Sequence, residues 1–422
     1  MYDYDVIVVG AGVIGLSTAY YLSKQGHKTL VLEQFPIPNA RGSSYGHSRL
    51  GKISHRLWAM SELTPESLAM WRQLQKDSKI PFLVNTGHLS MAEDSVKHKT
   101  LDPIMQNLFK RGIECHYYNG NEIMKKFPGI KCDEDFHGFY EPNGIVLKAD
   151  KCLLALRNEI LRYGGEIHDE EKVLKIQRIS DSLVTISTYK CTYSAKSTVL
   201  ACGPWAKKSL ALLGTDLPTQ AVRVIAYYWK EKKPGMFSAS NSFPPFMIYF
   251  SHYHLYSTPS IEYPGLIKIC YHYRSPVDPD RPAVVQEEDE VCEQKRATFL
   301  KSLIQKHFPN LEPVPAMTET YLQTITPNVV PIVDRHPKYK NVVVGAGCSG
   351  TLFKWGRHYN IFIIIFIAVN VLVCCNAHVS IGYGFTIAMS FGKILGHLAT
   401  TDERPYLQNH FPFQSNLVKP AL

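Results

Sequence analysis

Gly10-x-Gly12-x-x-Gly15, set between an apolar run and a helical one, constrains this chain more than any other feature. Residues 5–9 (DVIVV) are short, apolar and β-branched, which reads as a strand buried on both faces. The glycines follow at once. Residues 16–24 read as a helix that Gly26 stops, and residues 27–32 as a second strand. Glu33 closes that strand, 18 residues after Gly15. Strand, glycine turn, helix, strand and acid in this order form a dinucleotide-binding βαβ unit. Glycine lets the backbone turn tightly and approach a pyrophosphate, the helix N-terminus offers unpaired N–H groups to it, and the acid accepts from a ribose hydroxyl. The pattern alone does not separate NAD from FAD.

A chain of 422 residues has room for two domains with substantial cores. The net charge of +9 is scattered, without a basic run or basic–aromatic interleaving, so nucleic acid is not an expected partner. A positive balance favours anionic ligands such as carboxylates. The ten cysteines include one adjacent pair, Cys374–Cys375, and no C-x-x-C spacing. Neither a metal site nor a dithiol redox centre is expected, and reduced thiols in an intracellular compartment are.

Four further stretches give the pattern a family. They are RGSSYGHSRLGK (residues 41–52), ACGPWAKKSL (201–210), YPGLIKICYHY (263–273) and TPNVVPIVDRHPKYKNVVVGAGCSG (326–350). Together with the glycine turn they resemble the flavin-dependent amine oxidases of the monomeric sarcosine oxidase and L-pipecolate oxidase family. The likeness runs from about residue 3 to 350 and resumes near Gly384. It implies an α/β fold: an FAD-binding Rossmann-like domain of the glutathione-reductase type, interleaved with a mixed-sheet substrate domain. Residues 1–80, 145–215 and 320–422 would build the first, and residues 81–144 and 216–319 the second.

The resemblance also implies a division of labour. Gly10, Gly12, Val13, Gly15, Glu33, Gln34, Arg41, Ser43, Ser44, Val173, Gly203, Trp205, Gly345, Gly347, Ser349 and Gly350 would hold FAD. Arg49 and Lys268 would stand at the flavin face, Lys268 activating oxygen, with His272 a third active-site group. Tyr256, Lys52 and Lys354 would contact substrate. The activity implied is oxidation of a small secondary amino acid, such as sarcosine, L-pipecolate or L-proline, with dioxygen as acceptor. Such a protein would act as a monomer. A related flavin dehydrogenase and a catalytically impaired FAD-binding protein are the alternatives.

Several positions depart from the family. Thirteen residues before Asp334, where the family carries the cysteine that links FAD covalently, stands Tyr321, so non-covalent FAD is expected. Tyr45 replaces a histidine. Lys52 replaces the arginine that grips substrate carboxylate, keeping the charge but losing the bidentate fork. Residues 351–382 form an apolar insertion; removing them rejoins GAGCSG to YGFTIAMSFGKIL at the family's spacing. Residues 361–375 contain Asn370 as their one polar residue, yet number fewer than the ~20 a bilayer span needs. The insertion reads as a membrane span, as a buried helix or, as the clean rejoining favours, as sequence foreign to the working enzyme, such as a translated intron. Depending on the alignment, Lys354 or Thr386 takes the substrate-lysine position. The family argues for a peroxisomal location, but Pro420-Ala421-Leu422 departs from a small-then-basic C-terminal signal, which leaves the cytoplasm as the alternative.

Overall fold

The computed structural model describes residues 2–55, 58–271, 274–282, 287–327, 330–348 and 385–403. His272, Ser349, Gly350, Lys354 and the whole segment 351–382 lie outside the described residues. No described helix is long and apolar enough to cross a membrane.

The expected βαβ unit forms with small changes of boundary. Strand Tyr4–Val9 leads into helix Val13–Lys24, which begins three residues earlier than the periodicity suggests, and strand Thr29–Leu32 follows. Gly26 ends the helix with a φ of 83°, a left-handed conformation that glycine adopts without strain. Tyr4–Val9 pairs in parallel with Thr29–Leu32 on one side and Thr192–Leu200 on the other. Glu166–His168 and Val342–Ala346 extend the parallel layer at its two ends. An antiparallel hairpin, Val173–Ser180 with Leu183–Thr188, and strand Ile332–Arg335 complete eight strands.

Both faces of this layer are covered, as its apolar strands require. Val6 and Val8 point into one core with Leu16, Ala19 and Leu395, while Ile7 and Val9 point into a second core with Leu210 and Val344. Helix Ala388–Thr400 lies against helix Val13–Lys24. A Cβ on Gly392 would stand 2.5 Å from the backbone carbon of Ser17, and one on Gly396 2.6 Å from the Tyr21 ring. Only glycine permits two helices to lie that close.

A second, mixed sheet has nine strands. Near one edge lies Gln220–Glu231, which pairs along most of its length with the edge strand Leu311–Ile325 and, on its other side, with Leu266–Tyr271. His254–Thr258, Phe246–Tyr249, His88–Glu93, Phe136–Glu141 and His116–Asn119 continue outward from Leu266–Tyr271. Helix Glu287–His307 closes this core through Leu300, Leu303 and Ile304. A small third sheet, Ser48–Gly51 with Ile145–Lys148 and Leu83–Asn85, carries the Arg49 strand between the two large ones.

Candidate active site

A cavity of about 700 Å³ opens where Tyr4–Val9 and Thr192–Leu200 end, at the C-terminal edge of the parallel layer. That edge is where open α/β sheets bind dinucleotides. Its floor is the glycine turn. Gly10 has a φ of 105°, and a Cβ there would stand 2.6 Å from the Ala201 carbonyl oxygen. A Cβ on Gly15 would stand 1.9 Å from the Gly10 carbonyl oxygen, so the helix can begin directly beneath the turn only with glycine there. Gly12 precedes the helix without a side-chain cap, and no acidic residue occupies the first turn. The positive end of the helix dipole therefore faces the cavity. Ser44 reaches in from the following loop and its Oγ accepts from the Val13 N–H at 2.9 Å.

Glu33 lines the same cavity, 6% exposed. Its Oε2 accepts from the Ala11 N–H at 2.8 Å and its Oε1 from the Phe35 N–H at 3.1 Å. Burial pushes its carboxyl above the usual range, against the pull of these amides. Each oxygen keeps a lone pair for a hydroxyl donor. Gln34, Val173, Gly203 and Trp205 stand near this end, where Trp205 packs edge-on to Phe35 at 5.1 Å. The Trp205 indole is held by Asp280 Oδ1 at 2.7 Å, and Arg41 does not line the cavity but lies 4.6 Å over the Phe35 ring.

Ser43, Gly345 and Gly347 also line the cavity, and Arg49 stands in its wall with Tyr45, His47 and Phe385. Arg49 is held from three directions. Its Nη1 donates to the Ser48 carbonyl at 2.8 Å and its Nη2 to the carbonyls of Ser43 and Tyr45. The guanidinium lies 5.2 Å from the Tyr321 ring and 5.8 Å from that of Phe385. Tyr321, at the position of the family's flavin-linking cysteine, donates its hydroxyl to Glu319. Burial raises the Tyr321 phenol well above its ordinary value, with Arg49 pulling the other way.

The remaining candidates lie apart from the cavity wall. Lys268, 5% exposed, donates to Ser48 O at 3.2 Å, to Ser48 Oγ at 2.5 Å and to Glu262 Oε1 at 3.3 Å. It thus reaches from Leu266–Tyr271 to Ser48, the residue before Arg49 on strand Ser48–Gly51. Tyr256 is partly exposed but its phenol is raised by burial and by Cys270. Lys52 is buried in the core, and its Nζ has no hydrogen-bond partner among the described residues. Glu141, whose charge acts on Lys52, already accepts from the backbone of Ile53 and Ser54 at 2.6 and 3.1 Å. Burial pushes the Lys52 ammonium down to about 8, with Glu141 resisting. Thr386 donates its hydroxyl to the Leu50 carbonyl at 2.8 Å and is 1% exposed. Among the described residues no cluster of His, Cys, Asp and Glu is arranged to hold a metal ion.

Sequence reasoning missed Glu262, Glu319, Phe385 and Arg157. Arg157 lines the cavity with a buried Nε that has no partner among the described residues, where a phosphate-bearing ligand would supply one. Its signal was a single charge on the inner side of helix Ala149–Arg162, indistinguishable in sequence from the solvated charges around it.

The residues present fit FAD. The glycine cradle admits a pyrophosphate, Glu33 can accept from a ribose, and the far wall sets fixed positive charge where an isoalloxazine would lie. Fold and cavity thus define a flavin-dependent oxidoreductase, and the family described as FAD dependent oxidoreductase matches residues 5–357. Human peroxisomal sarcosine oxidase is 36% identical over 352 residues, covering 83% of this chain and 88% of the relative. Monomeric sarcosine oxidase from Bacillus sp. (strain NS-129) is 29% identical over 356 residues, covering 83% of this chain and 89% of the relative. NikD, an amino acid oxidase of nikkomycin biosynthesis, superposes with a TM-score of 0.75 at 20% identity, covering 97% of each chain, and shares the fold. The chain belongs to the sarcosine oxidase family of FAD-dependent oxidoreductases.

Proposed function

We propose that this chain oxidises the CH–NH bond of a small secondary amino acid, sarcosine, L-pipecolate or L-proline, to the imine, and passes the two electrons to dioxygen as hydrogen peroxide. FAD, when bound, supplies the electron transfer from substrate carbon to oxygen. The chain's own residues hold that cofactor, exclude water and fix charge. Arg49, immobilised by three carbonyls, presents a permanent cation to the ring end of the cavity. Lys268 brings a second cation to the same backbone carbonyl. Preorganised positive charge stabilises both an anionic reduced ring system and superoxide without reorganisation at the moment of reaction. The convergence of these two cations is the observation that carries the proposal.

FAD is held non-covalently, because Tyr321 offers a phenol hydrogen-bonded to Glu319 in place of a thiol. Lys52, Tyr256, His272 and Lys354 remain the proposed substrate-side residues. The relatives named as monomeric and peroxisomal support a monomer in the peroxisome. The buried, unpartnered Lys52 favours as second reading a protein impaired in substrate binding, since its ammonium does not line the cavity. Anaerobic titration of the purified yellow protein with N-methyl and cyclic amino acids separates the two. Bleaching by one of them, followed by recolouring and peroxide formation on admitting air, is expected. A flavin that none of them bleaches would overturn the oxidase reading.

A further inference from the structure

Lys268 is one side of a buried network of charged and phenolic groups that the proposed reaction does not by itself require. Its ammonium is almost wholly removed from water, and among the described residues the one carboxylate within 4 Å of it is that of Glu262, whose side chain is 4% exposed. Glu262 sits in the turn between His254–Thr258 and Leu266–Tyr271. Its Oε1 accepts from Lys268 at 3.3 Å, from Ser48 Oγ at 2.8 Å and lies 3.2 Å from the Tyr228 hydroxyl. Its Oε2 has no hydrogen-bond partner among the described residues. Tyr228 has a single proton to give, and Glu319 Oε2 is nearer, at 2.7 Å. Tyr263 and Tyr321 also donate to Glu319.

Every element packed around Lys268 contributes a group. Ser48 and Arg49 come from the small sheet, Thr258 from the neighbouring strand, where its hydroxyl pairs with Ser48 Oγ at 2.8 Å. Tyr228 comes from Gln220–Glu231, Glu319 and Tyr321 from Leu311–Ile325, Glu262 and Tyr263 from the turn, and Cys270 from Lys268's own strand. Two cations, Arg49 and Lys268, are thereby matched by two carboxylates, the buried side chain of Glu262 and the half-buried Glu319. The carbonyl and hydroxyl of Ser48 give Lys268 hydrogen bonds but no opposing charge. A desolvated ammonium without a counter-charge favours its neutral form, and a neutral amine neither attracts superoxide nor needs this geometry.

We propose that Glu262 is a positioning residue for the oxygen half-reaction: acting through Lys268 Nζ and Ser48 Oγ, it supplies the counter-charge of Lys268 and holds it against the strand that carries Arg49. The inference rests on the oxidase reading above. Burial works to raise the Glu262 carboxyl, but the Lys268 charge and the Ser48 hydroxyl outweigh it and leave it below the usual carboxylate range, so the carboxylate is present as an anion at neutral pH.

The test uses the FAD-loaded wild type, E262Q and E262D, each photoreduced without substrate and mixed with dioxygen at neutral pH. Reoxidation is expected to be about tenfold slower in E262Q, part of the effect of losing a preorganised stabilising group altogether. E262D, which keeps its charge one methylene farther away, should be slowed by less. Reduction by substrate should keep its wild-type rate. A wild-type reoxidation rate in both variants overturns the inference, whereas a wild type that does not react with oxygen overturns the oxidase reading instead. A second readout needs no turnover. Thermal unfolding of E262Q, K268M and E262Q/K268M should show losses in Tm that fall short of additive, because the double variant leaves no charge stranded. Additive losses would equally overturn the pairing.

Discussion

Arg49 Nη1 and Lys268 Nζ donate to one and the same acceptor, the carbonyl oxygen of Ser48, at 2.8 and 3.2 Å. A single backbone atom therefore sets the spacing of two cations that arrive from different sheets. Strand Ser48–Gly51 brings Arg49 to the cavity wall, while Leu266–Tyr271 brings Lys268 from behind it. Neither charge is free to relax away from the other. That is tolerable because Glu262 and Glu319 lie beside them, and it is useful where negative charge develops transiently.

The first prediction concerns that second cation. Replacing Lys268 by Met removes a fixed charge from a dry site and should slow reoxidation of the reduced flavin by about 10²–10³-fold, the usual effect of deleting one preorganised stabilising group. Anaerobic reduction by substrate should change far less, since Lys268 does not line the cavity. Stopped-flow measurement of the two half-reactions separately reads both numbers.

Lys52 gives a stability prediction with a definite sign. Its ammonium is pushed from 10.5 down to about 8 by burial. Below that value the folded and unfolded chains are both protonated and the cost of the buried charge is fully present. As pH rises through 8 towards 10.5 the folded state releases the proton first, the unfolded state binds more protons, and stability rises. K52M should therefore be more stable than the wild type at neutral pH, by on the order of 3 kcal/mol. The advantage should shrink in alkaline solution. Urea unfolding at several pH values checks it; a less stable K52M at neutral pH would mean that Lys52 has a partner in solution.

Gly15 should be irreplaceable for the cofactor. With a Cβ placed 1.9 Å from the Gly10 carbonyl, G15A must push the turn away from the helix and disturb the N–H groups that face the cavity. FAD affinity should drop at least about tenfold, equivalent to about 1.4 kcal/mol. Gel-filtered G15A would be paler than wild type, and FAD fluorescence titration gives the affinity. In the wild type, acid precipitation should leave the yellow colour in the supernatant, as non-covalent attachment requires.

Local sequence carried much of this architecture and little of its electrostatics. The glycine turn and Glu33 were legible because every residue of the unit lies within about thirty positions and each is dictated by backbone geometry. The Arg49 segment was legible as a motif, although nothing in it shows that three carbonyls would hold the guanidinium. Glu262 was invisible: it stands in a Tyr-Pro-Gly turn that any surface hairpin could own, and its partner Ser48 is 214 positions away. Glu319 and Tyr321 share one face of a strand by period-two alternation, but that face became meaningful only when Gln220–Glu231 paired beside it, placing Ala226 opposite Glu319 and Val224 opposite Tyr321. The motif around Lys52 gave no sign that its ammonium would be buried without a hydrogen-bond partner among the described residues, an outcome that charge alone would argue against.

The last prediction addresses residues 351–382. The described chain on either side of them converges. A Cβ on Gly345, in strand Val342–Ala346, would stand 2.8 Å from Leu395 in helix Ala388–Thr400, so strand and helix pack directly. Cys348 and Phe385 line the same cavity, and Phe385 stacks on Trp71 at 5.9 Å while its carbonyl accepts from the Trp71 indole at 3.1 Å. The polypeptide thus departs from and returns to one place on the flavin-binding layer. A short connection suffices between such ends, and shortening the chain between them contributes roughly 2 kcal/mol of reduced closure entropy. A variant lacking residues 351–382, joining Gly350 to Tyr383, is expected to fold, to bind FAD and to unfold at no lower temperature than the full chain. A colourless or insoluble deletion variant would show that the segment belongs to the working structure, and the reading of it as foreign sequence would fall.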